Sequence, residues 1–271
     1  MKSVRNPVVA GQFYSDSAES LTKELDSMMG ERSGKLDAIG MVCPHAGYVY
    51  SGAIAGSVFR EIKIKKTYVI LGPNHTGLGE QFGISKCHSW KTPLGDVEID
   101  SDLAGAVKKN CGLIKSDEFS NIHEHSIEVQ LPFLQYLGKP FKFVPIVISY
   151  ADINTYRRIG KAIANSIKQL KAETSTAIIA SSDMTHYEPQ AEAKDKDSQA
   201  IDAILNLDEE KLVDRISEMG ITMCGFAPTA IMIVAAKELG AKKAQLMKYA
   251  TSGDVSGDYS SVVGYAGIII S

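Results

Sequence analysis

Three short segments of this chain concentrate side chains that can bind a metal ion or move a proton: Met41-Val42-Cys43-Pro44-His45-Ala46-Gly47-Tyr48, Leu71-Gly72-Pro73-Asn74-His75-Thr76-Gly77 and Ala180-Ser181-Ser182-Asp183-Met184-Thr185-His186-Tyr187. Each follows an apolar run and is expected to leave the carboxyl end of a strand, the edge at which open α/β sheets collect ligands. His45, His75, Asp183 and His186 would then face one crevice. The glycines and prolines beside His45 and His75 suit tight turns that hold a side chain rigidly, as a metal ligand or a catalytic base requires. A single histidine at a strand end serves equally well as a cap or loop filler, so the recurrence in three loops carries the argument.

Two further segments add candidates. Asn121-Ile122-His123-Glu124-His125-Ser126-Ile127-Glu128 precedes an apolar-periodic helix that Ser126 is expected to cap. In an extended backbone His123 and His125 point to the same side, and we place His125 in the crevice and His123 at its edge. Cys224 lies in Thr222-Met223-Cys224-Gly225-Phe226-Ala227-Pro228, a turn before an apolar helix whose first turn accepts Pro228. A helix amino terminus favours thiolate, but a lone cysteine beside apolar residues is more often a packed small hydrophobe than a ligand, so the case for Cys224 rests on its company. Cys43, Cys87 and Cys111 lack such neighbours and are read as structural.

Other chemistries fail on their motifs. There is no Gly-x-x-x-x-Gly-Lys-Ser/Thr loop and no Gly-x-Gly-x-x-Gly opening a helix, which argues against nucleotide binding. Ser181, Ser182, Asp183 and His186 lack the Gly-x-Ser-x-Gly elbow of a serine hydrolase, which stays a minor alternative. The pairs Gly253-Asp254 and Gly257-Asp258 read as turns between closing strands.

The elements that must position these residues alternate between apolar, β-branched runs and helix-period segments, the pattern of a mostly parallel central sheet flanked by helices on both faces. Strands are expected near 38–43, 67–72, 141–148, 175–181, 243–251 and 261–270. Helices are expected near 17–29, 51–61, 101–110, 126–137, 152–171, 192–205, 208–218 and 228–240, several opened by Ser or Asp caps. Residues 82–99 read as a strand pair with a turn, giving the sheet an antiparallel extension. No repeat or linker divides the chain, so residues 1–271 are taken as a single α/β domain.

Bulk properties agree with that class. With 271 residues and 44% hydrophobic residues the chain can bury a large core. Its 29 basic and 32 acidic residues nearly cancel and are dispersed, which excludes a dedicated nucleic-acid surface and argues against a membrane partner. Met1, Lys2 and Arg5 are followed by no apolar stretch of the kind that exports a chain, and the Ala227–Ala236 run is too short to span a bilayer. A cytoplasmic location with four reduced thiols is expected.

Taken together, the motifs resemble the Memo family. They are Arg5-x-Pro7, Ala10-Gly11-x-Phe13-Tyr14, Pro44-His45-Ala46-Gly47-Tyr48-x-Tyr50-Ser51-Gly52, Gly72-Pro73-Asn74-His75, Glu124-His125-Ser126-x-Glu128, Ser182-Asp183-x-Thr185-His186 and Ser252-Gly253-Asp254. Memo proteins are similar to the class III extradiol (LigB-like) dioxygenases, non-haem iron enzymes of α/β architecture, so the resemblance implies that fold and a pocket in the same place. It implies His45 and His75 as metal ligands and Cys224 where the dioxygenases carry a glutamate ligand. It further implies His186 at the position of the catalytic base, His125 as another pocket histidine and Asp183 lining the pocket.

A thiolate in place of a carboxylate changes metal preference and oxygen handling, so dioxygenase activity is not carried over. The His2Cys set suits iron or copper, and zinc also fits. The expected function is a metal-dependent redox enzyme for a small organic substrate. The alternatives are a non-catalytic module holding a peptide or phosphorylated ligand, or a modification partner of the AMMECR-type and radical SAM proteins that accompany Memo proteins in many microbes.

Overall fold

The chain folds around a nine-stranded mixed sheet with helices on both faces. The structure is a computed structural model describing residues 3–271; Met1 and Lys2, part of the reading of the amino terminus, lie outside the described residues. The strands are β1 (Val4–Arg5), β2 (Gly40–Cys43), β3 (Thr67–Pro73), β4 (Phe82–Ile84), β5 (Ser89–Thr92), β6 (Gly95–Glu98), β7 (Lys115–Ser116), β8 (Lys142–Ile148), β9 (Thr176–Ser181), β10 (His186–Glu188), β11 (Ala244–Thr251) and β12 (Val262–Ile270). The helices are α1 (Ala18–Met29), α2 (Tyr48–Phe59), α3 (Ser101–Asn110), α4 (Leu131–Tyr136), α5 (Ile153–Gln169), α6 (Gln190–Leu205), α7 (Glu209–Glu218), α8 (Phe226–Glu238) and α9 (Gly253–Ser256).

The sheet runs β10-β12-β2-β9-β3-β8-β4-β7, with β11 also paired to β12. Its centre, β2-β9-β3-β8, is parallel. These strands read as unbroken apolar runs because both of their faces are covered: all seven residues of β3 and all six of β9 are buried. α8 packs on β9, β3 and β2, while α2 packs on β12, β11 and β2. One continuous apolar cluster joins these layers.

Helix starts follow the expected chemistry. The side chains of Ser17, Asp100, Asp152 and Asp208 accept hydrogen bonds from the backbone N–H groups of Ser20, Leu103, Thr155 and Lys211. α8 carries Pro228 in its first turn, where no intrahelical N–H is lost. No helix among the described residues is long and apolar enough to cross a membrane.

Two expectations need correction. Residues 82–99 do give the central sheet an antiparallel extension, but through β4, which pairs with β8; the hairpin β5-β6 instead joins β1 in a separate three-stranded sheet. Burial of Trp90 against Phe143, with the Arg5 guanidinium 4.0 Å from the indole centroid, holds that small sheet in place. Ser126 does not cap a helix. Residues Glu128–Gln130 form a 3-10 turn that leads into α4, and the Ser126 hydroxyl is buried without a hydrogen-bond partner among the described residues.

Candidate metal centre

Because β2, β9, β3 and β8 are parallel, their carboxyl ends share one edge, and the loops after Cys43, Ser181, Pro73 and Ile148 project from it. β9 lies between β2 and β3, so the Asp183 loop sits between the loops bearing His45 and His75. Cys43 is in register with Ser181, which aligns those loop starts.

The ring nitrogens of His45, His75 and His125 lie within 4.8 Å of one another, close enough to share one metal ion. The rings of His75 and His125 stack at 4.8 Å and 17°, and both meet His45 edge-on at 5.1 and 5.5 Å. Cys224 is not one of these three, but its Sγ stands 3.2 Å from His45 Nε2. His45 is buried, whereas His75 and His125 keep about a third and a fifth of their side-chain surface (33% and 22%) toward the opening.

His125 reaches this group because Gly72 lacks a side chain: a Cβ there would meet Ser126 Oγ at 2.3 Å and Ile127 Cγ1 at 2.7 Å, so glycine lets the 124–127 segment lie against β3. Phe13 packs edge-on against His125 at 4.9 Å, which gives the Ala10-Gly11-x-Phe13-Tyr14 motif a contact at the site. His123 is exposed on the outer side of the same loop.

Glu124, of the Glu124-His125-Ser126-x-Glu128 motif, orients His75. Its buried carboxylate accepts hydrogen bonds from His75 N at 2.8 Å, His75 Nδ1 at 3.0 Å and Ser126 N at 2.8 Å. A carboxylate only accepts, so His75 carries a proton on Nδ1 and the neutral ring leaves Nε2 as a bare lone pair, the arrangement by which carboxylates orient histidine ligands. Burial opposes the charged ring, but the Glu124 pairing outweighs it and raises the His75 pKa. The signal was Glu next to His in a loop dense with titratable groups. Arg5 anchors the loop from behind, donating to the backbone oxygens of Asn121 and Glu124 at 2.7 and 2.6 Å and to Glu128 Oε2 at 2.7 Å.

Burial opposes ionisation of Glu124, but the His75 hydrogen bond, the charges of His75 and His125 and the Ser126 N–H outweigh it and hold its pKa at about 2 instead of 4.5. Because the folded value is depressed, the stabilisation is present above pH 4.5 and is lost as pH falls toward 2; at about 1.4 kcal/mol per unit it amounts to roughly 3 kcal/mol. Urea midpoints of wild type should therefore drop between pH 5 and pH 3, and Glu124→Gln should remove that part of the drop. Equal acid sensitivity in both proteins would refute the assignment.

Asp183 serves the site through its oxygens. Oδ1 accepts from His45 N at 2.8 Å and from Ala46 N at 3.3 Å, while Oδ2 lies 3.9 Å from His45 Nε2. Burial raises its pKa against those backbone donors and the nearby histidines. His186 opens β10, donating from its N–H to Thr222 Oγ1 at 2.7 Å, with Nδ1 3.0 Å from the Thr222 carbonyl oxygen. That oxygen can only accept, so Nδ1 holds the proton and Nε2 is free to take one. A β-bulge follows, in which Tyr187 adopts a left-handed φ of 61°, strained for a bulky residue, and is thrown out to solvent.

The reading of Cys224 as a thiolate needs correction. Burial, followed by the Asp183 charge, pushes its pKa far up, so without a metal it is a protonated thiol despite its place before α8. A metal ion would have to displace that proton. The residues otherwise fit such an ion: three imidazoles converge, the Cys224 sulfur lies beside one of them, and His75 has its outer nitrogen satisfied.

His75, His186 and Cys224 line a cleft of about 380 Å³ together with Tyr150, Tyr187, Thr222, Met223 and Phe226. Tyr150 stacks on Phe226 at 5.5 Å, and Tyr150 and Tyr187 are largely exposed at the rim. A larger groove of about 1060 Å³ lies at the other end of the parallel strands, around Lys66, Phe141 and Lys142; its lining has no histidine or cysteine, so the smaller cleft is the chemical one.

A family model described as Memo-like protein matches residues 5–269. A protein named MEMO1 family protein from Methanopyrus kandleri is 45% identical over 279 residues, covering 98% of each chain. A second, from Methanosarcina acetivorans, is 44% identical over 269 residues, covering 98% of this chain and 99% of its own. A third, from Methanocaldococcus jannaschii, is 42% identical over 290 residues and covers both chains fully (100%).

Proposed function

The chain belongs to the Memo family, and from that premise we propose that its crevice is a metal centre serving redox chemistry on a small organic substrate. The observation that carries this reading is the convergence of His45, His75 and His125 within 4.8 Å, with Cys224 Sγ 3.2 Å from His45, at the carboxyl edge of the parallel strands. His45, His75 and Cys224 are the proposed ligands, with His125 beside them. Iron or copper suits this donor set best, and zinc also suits it. A bound ion would supply Lewis-acid or electron-transfer chemistry.

The chain's own groups take the remaining roles. His186 Nε2 moves a proton at the cleft mouth, His125 and Asp183 orient the substrate, and the Tyr150–Phe226 pair offers a flat apolar wall. The cleft lining contains no lysine or arginine, which makes a phosphorylated ligand held without chemistry the weaker reading. Cooperation with AMMECR-type and radical SAM proteins, and a cytoplasmic place that keeps Cys224 reduced, belong to the same proposal.

The test is anaerobic titration of apoprotein with Fe(II) and Cu(I) under chelator competition. His45→Ala and Cys224→Ala should each weaken binding by more than the roughly 10–100-fold that loss of an outer partner causes. Undiminished binding in both variants would overturn the ligand assignment. Metal-free protein that binds phosphotyrosine would support the binding module instead.

A further inference from the structure

The hydroxyl of Ser181, at the end of β9, makes three contacts at once: 2.6 Å to the Ser126 carbonyl oxygen, 2.8 Å to Gln130 Nε2 and 3.0 Å to His45 Nδ1. All four residues are buried. Gln130 Nε2 also lies 3.0 Å from the Pro44 carbonyl oxygen.

The two backbone carbonyls at the ends of this chain of contacts set its direction, because a carbonyl oxygen can only accept. The Gln130 atom facing Pro44 must therefore be the amide nitrogen, and its second hydrogen points to Ser181. Ser181 has one hydrogen, and the 2.6 Å contact to Ser126 claims it. The remaining contact then requires His45 Nδ1 to be the donor.

We propose that Gln130 and Ser181 form a one-way hydrogen-bond relay that locks His45 in its Nδ1–H tautomer and so presents Nε2 as a bare lone pair to the metal position and to Cys224. The relay works against a specific competitor. Asp183 Oδ2 lies 3.9 Å from Nε2 and would draw a proton to that nitrogen if Nδ1 had no acceptor of its own. With Nε2 protonated, His45 could not bind a metal. Which of the two ring nitrogens holds the proton is therefore the decision left to the relay. Ser181 and Gln130 are positioning residues, which also explains why Ser181 sits among reactive groups without being a nucleophile.

The metal half of this inference rests on the function proposed above, whereas the tautomer half does not, and the experiment separates them. In apoprotein at neutral pH, 15N NMR of the histidine rings should show His45 protonated at Nδ1 alone. Ser181→Ala should move the proton to Nε2 and weaken Fe(II) or Zn(II) binding about 10–100-fold, with the His75 ring unchanged. Ser181→Thr, which keeps the hydroxyl, should restore both. Gln130→Leu, a second variant should Ser181→Ala fold poorly, should shift the His45 population in the same direction by a smaller amount. Wild-type His45 protonated at Nε2, or an unshifted tautomer in folded Ser181→Ala, overturns the relay. A shifted tautomer with metal binding absent from the wild type upholds the relay and overturns the metal function.

Discussion

Arg5→Ala should destabilise the protein by about 3–5 kcal/mol, the range seen when one partner of a buried ion pair is removed. Arg5 and Glu128 meet at 2.7 Å with side-chain exposures of 3% and 0%. Glu128 also accepts from Tyr14 OH at 2.7 Å and from the N–H groups of Val8 and Val9, so it cannot turn to solvent when its cation is lost. Loss of Arg5 meanwhile deprives the Glu124 carbonyl oxygen of its donor and leaves that of Asn121 with only the long 3.4 Å bond from Glu124 N. The damage reaches the site because Glu124 orients His75. Denaturant unfolding at pH 7 checks the stability term, and chelator competition should show weaker metal binding in the folded fraction. The double variant Arg5→Met, Glu128→Gln removes the orphaned charge and should recover part of the loss. A cost below about 1 kcal/mol for Arg5→Ala, the range of an exposed pair, would mean that Glu128 is solvated in the variant.

This N-terminal anchor also marks a boundary of what sequence can reveal. Arg5 and Glu128 are 123 positions apart, and nothing local to either says that they meet. The central strands were legible for the opposite reason: a strand buried on both faces must be apolar at every position, as Thr67–Pro73 and Thr176–Ser181 nearly are. Helix starts were legible because caps are local, as at Asp100 and Asp152. Ser126 looked equally good, but Gly72 draws its segment against β3 and tertiary packing overrides the local preference. The hairpin at Ser89–Glu98 was legible as a hairpin, while its partner β1 is two residues long and carries no pattern.

At the site, His45, His75, Asp183 and His186 could be grouped from their places after predicted strands, since parallel strands deliver their loops to one edge. Cys224 follows no strand, and only the family resemblance brought it in; its 3.2 Å contact with His45 depends on how α8 docks on β9, β3 and β2. Its protonation is not legible locally, because the helix terminus that favours thiolate is visible in the sequence while the burial and the Asp183 charge that oppose it are not. Ser181 and Gln130 were invisible as a pair for the same reason as Arg5 and Glu128: a relay is a property of the packed site, not of any segment.

That docking makes Gly225→Ala the second large expected effect. A Cβ at Gly225 would lie 2.3 Å from the Ser181 carbonyl oxygen, 2.5 Å from Ser182 Cβ and 2.7 Å from Ser182 Oγ. None of these is the far end of a flexible chain, so the turn carrying Cys224 must back away from β9, and the 2.9 Å hydrogen bond from Gly225 N to Ser182 Oγ must lengthen. Overpacking of this kind costs about 1–3 kcal/mol. Because Cys224 is the adjacent residue, Sγ should retreat from His45, and metal affinity should fall about 10–100-fold, as with other losses of support around a site. The thiolate-to-metal charge-transfer band of the Co(II)-substituted protein should weaken in parallel. Gly105→Ala is the matched control: Gly105 lies inside α3 with nothing within 4 Å of an added Cβ. There the methyl group should stabilise the helix by roughly 0.5–1 kcal/mol and leave metal binding unchanged. If Gly225→Ala instead behaves like Gly105→Ala, the turn is free to move and Cys224 is not held against His45 by packing.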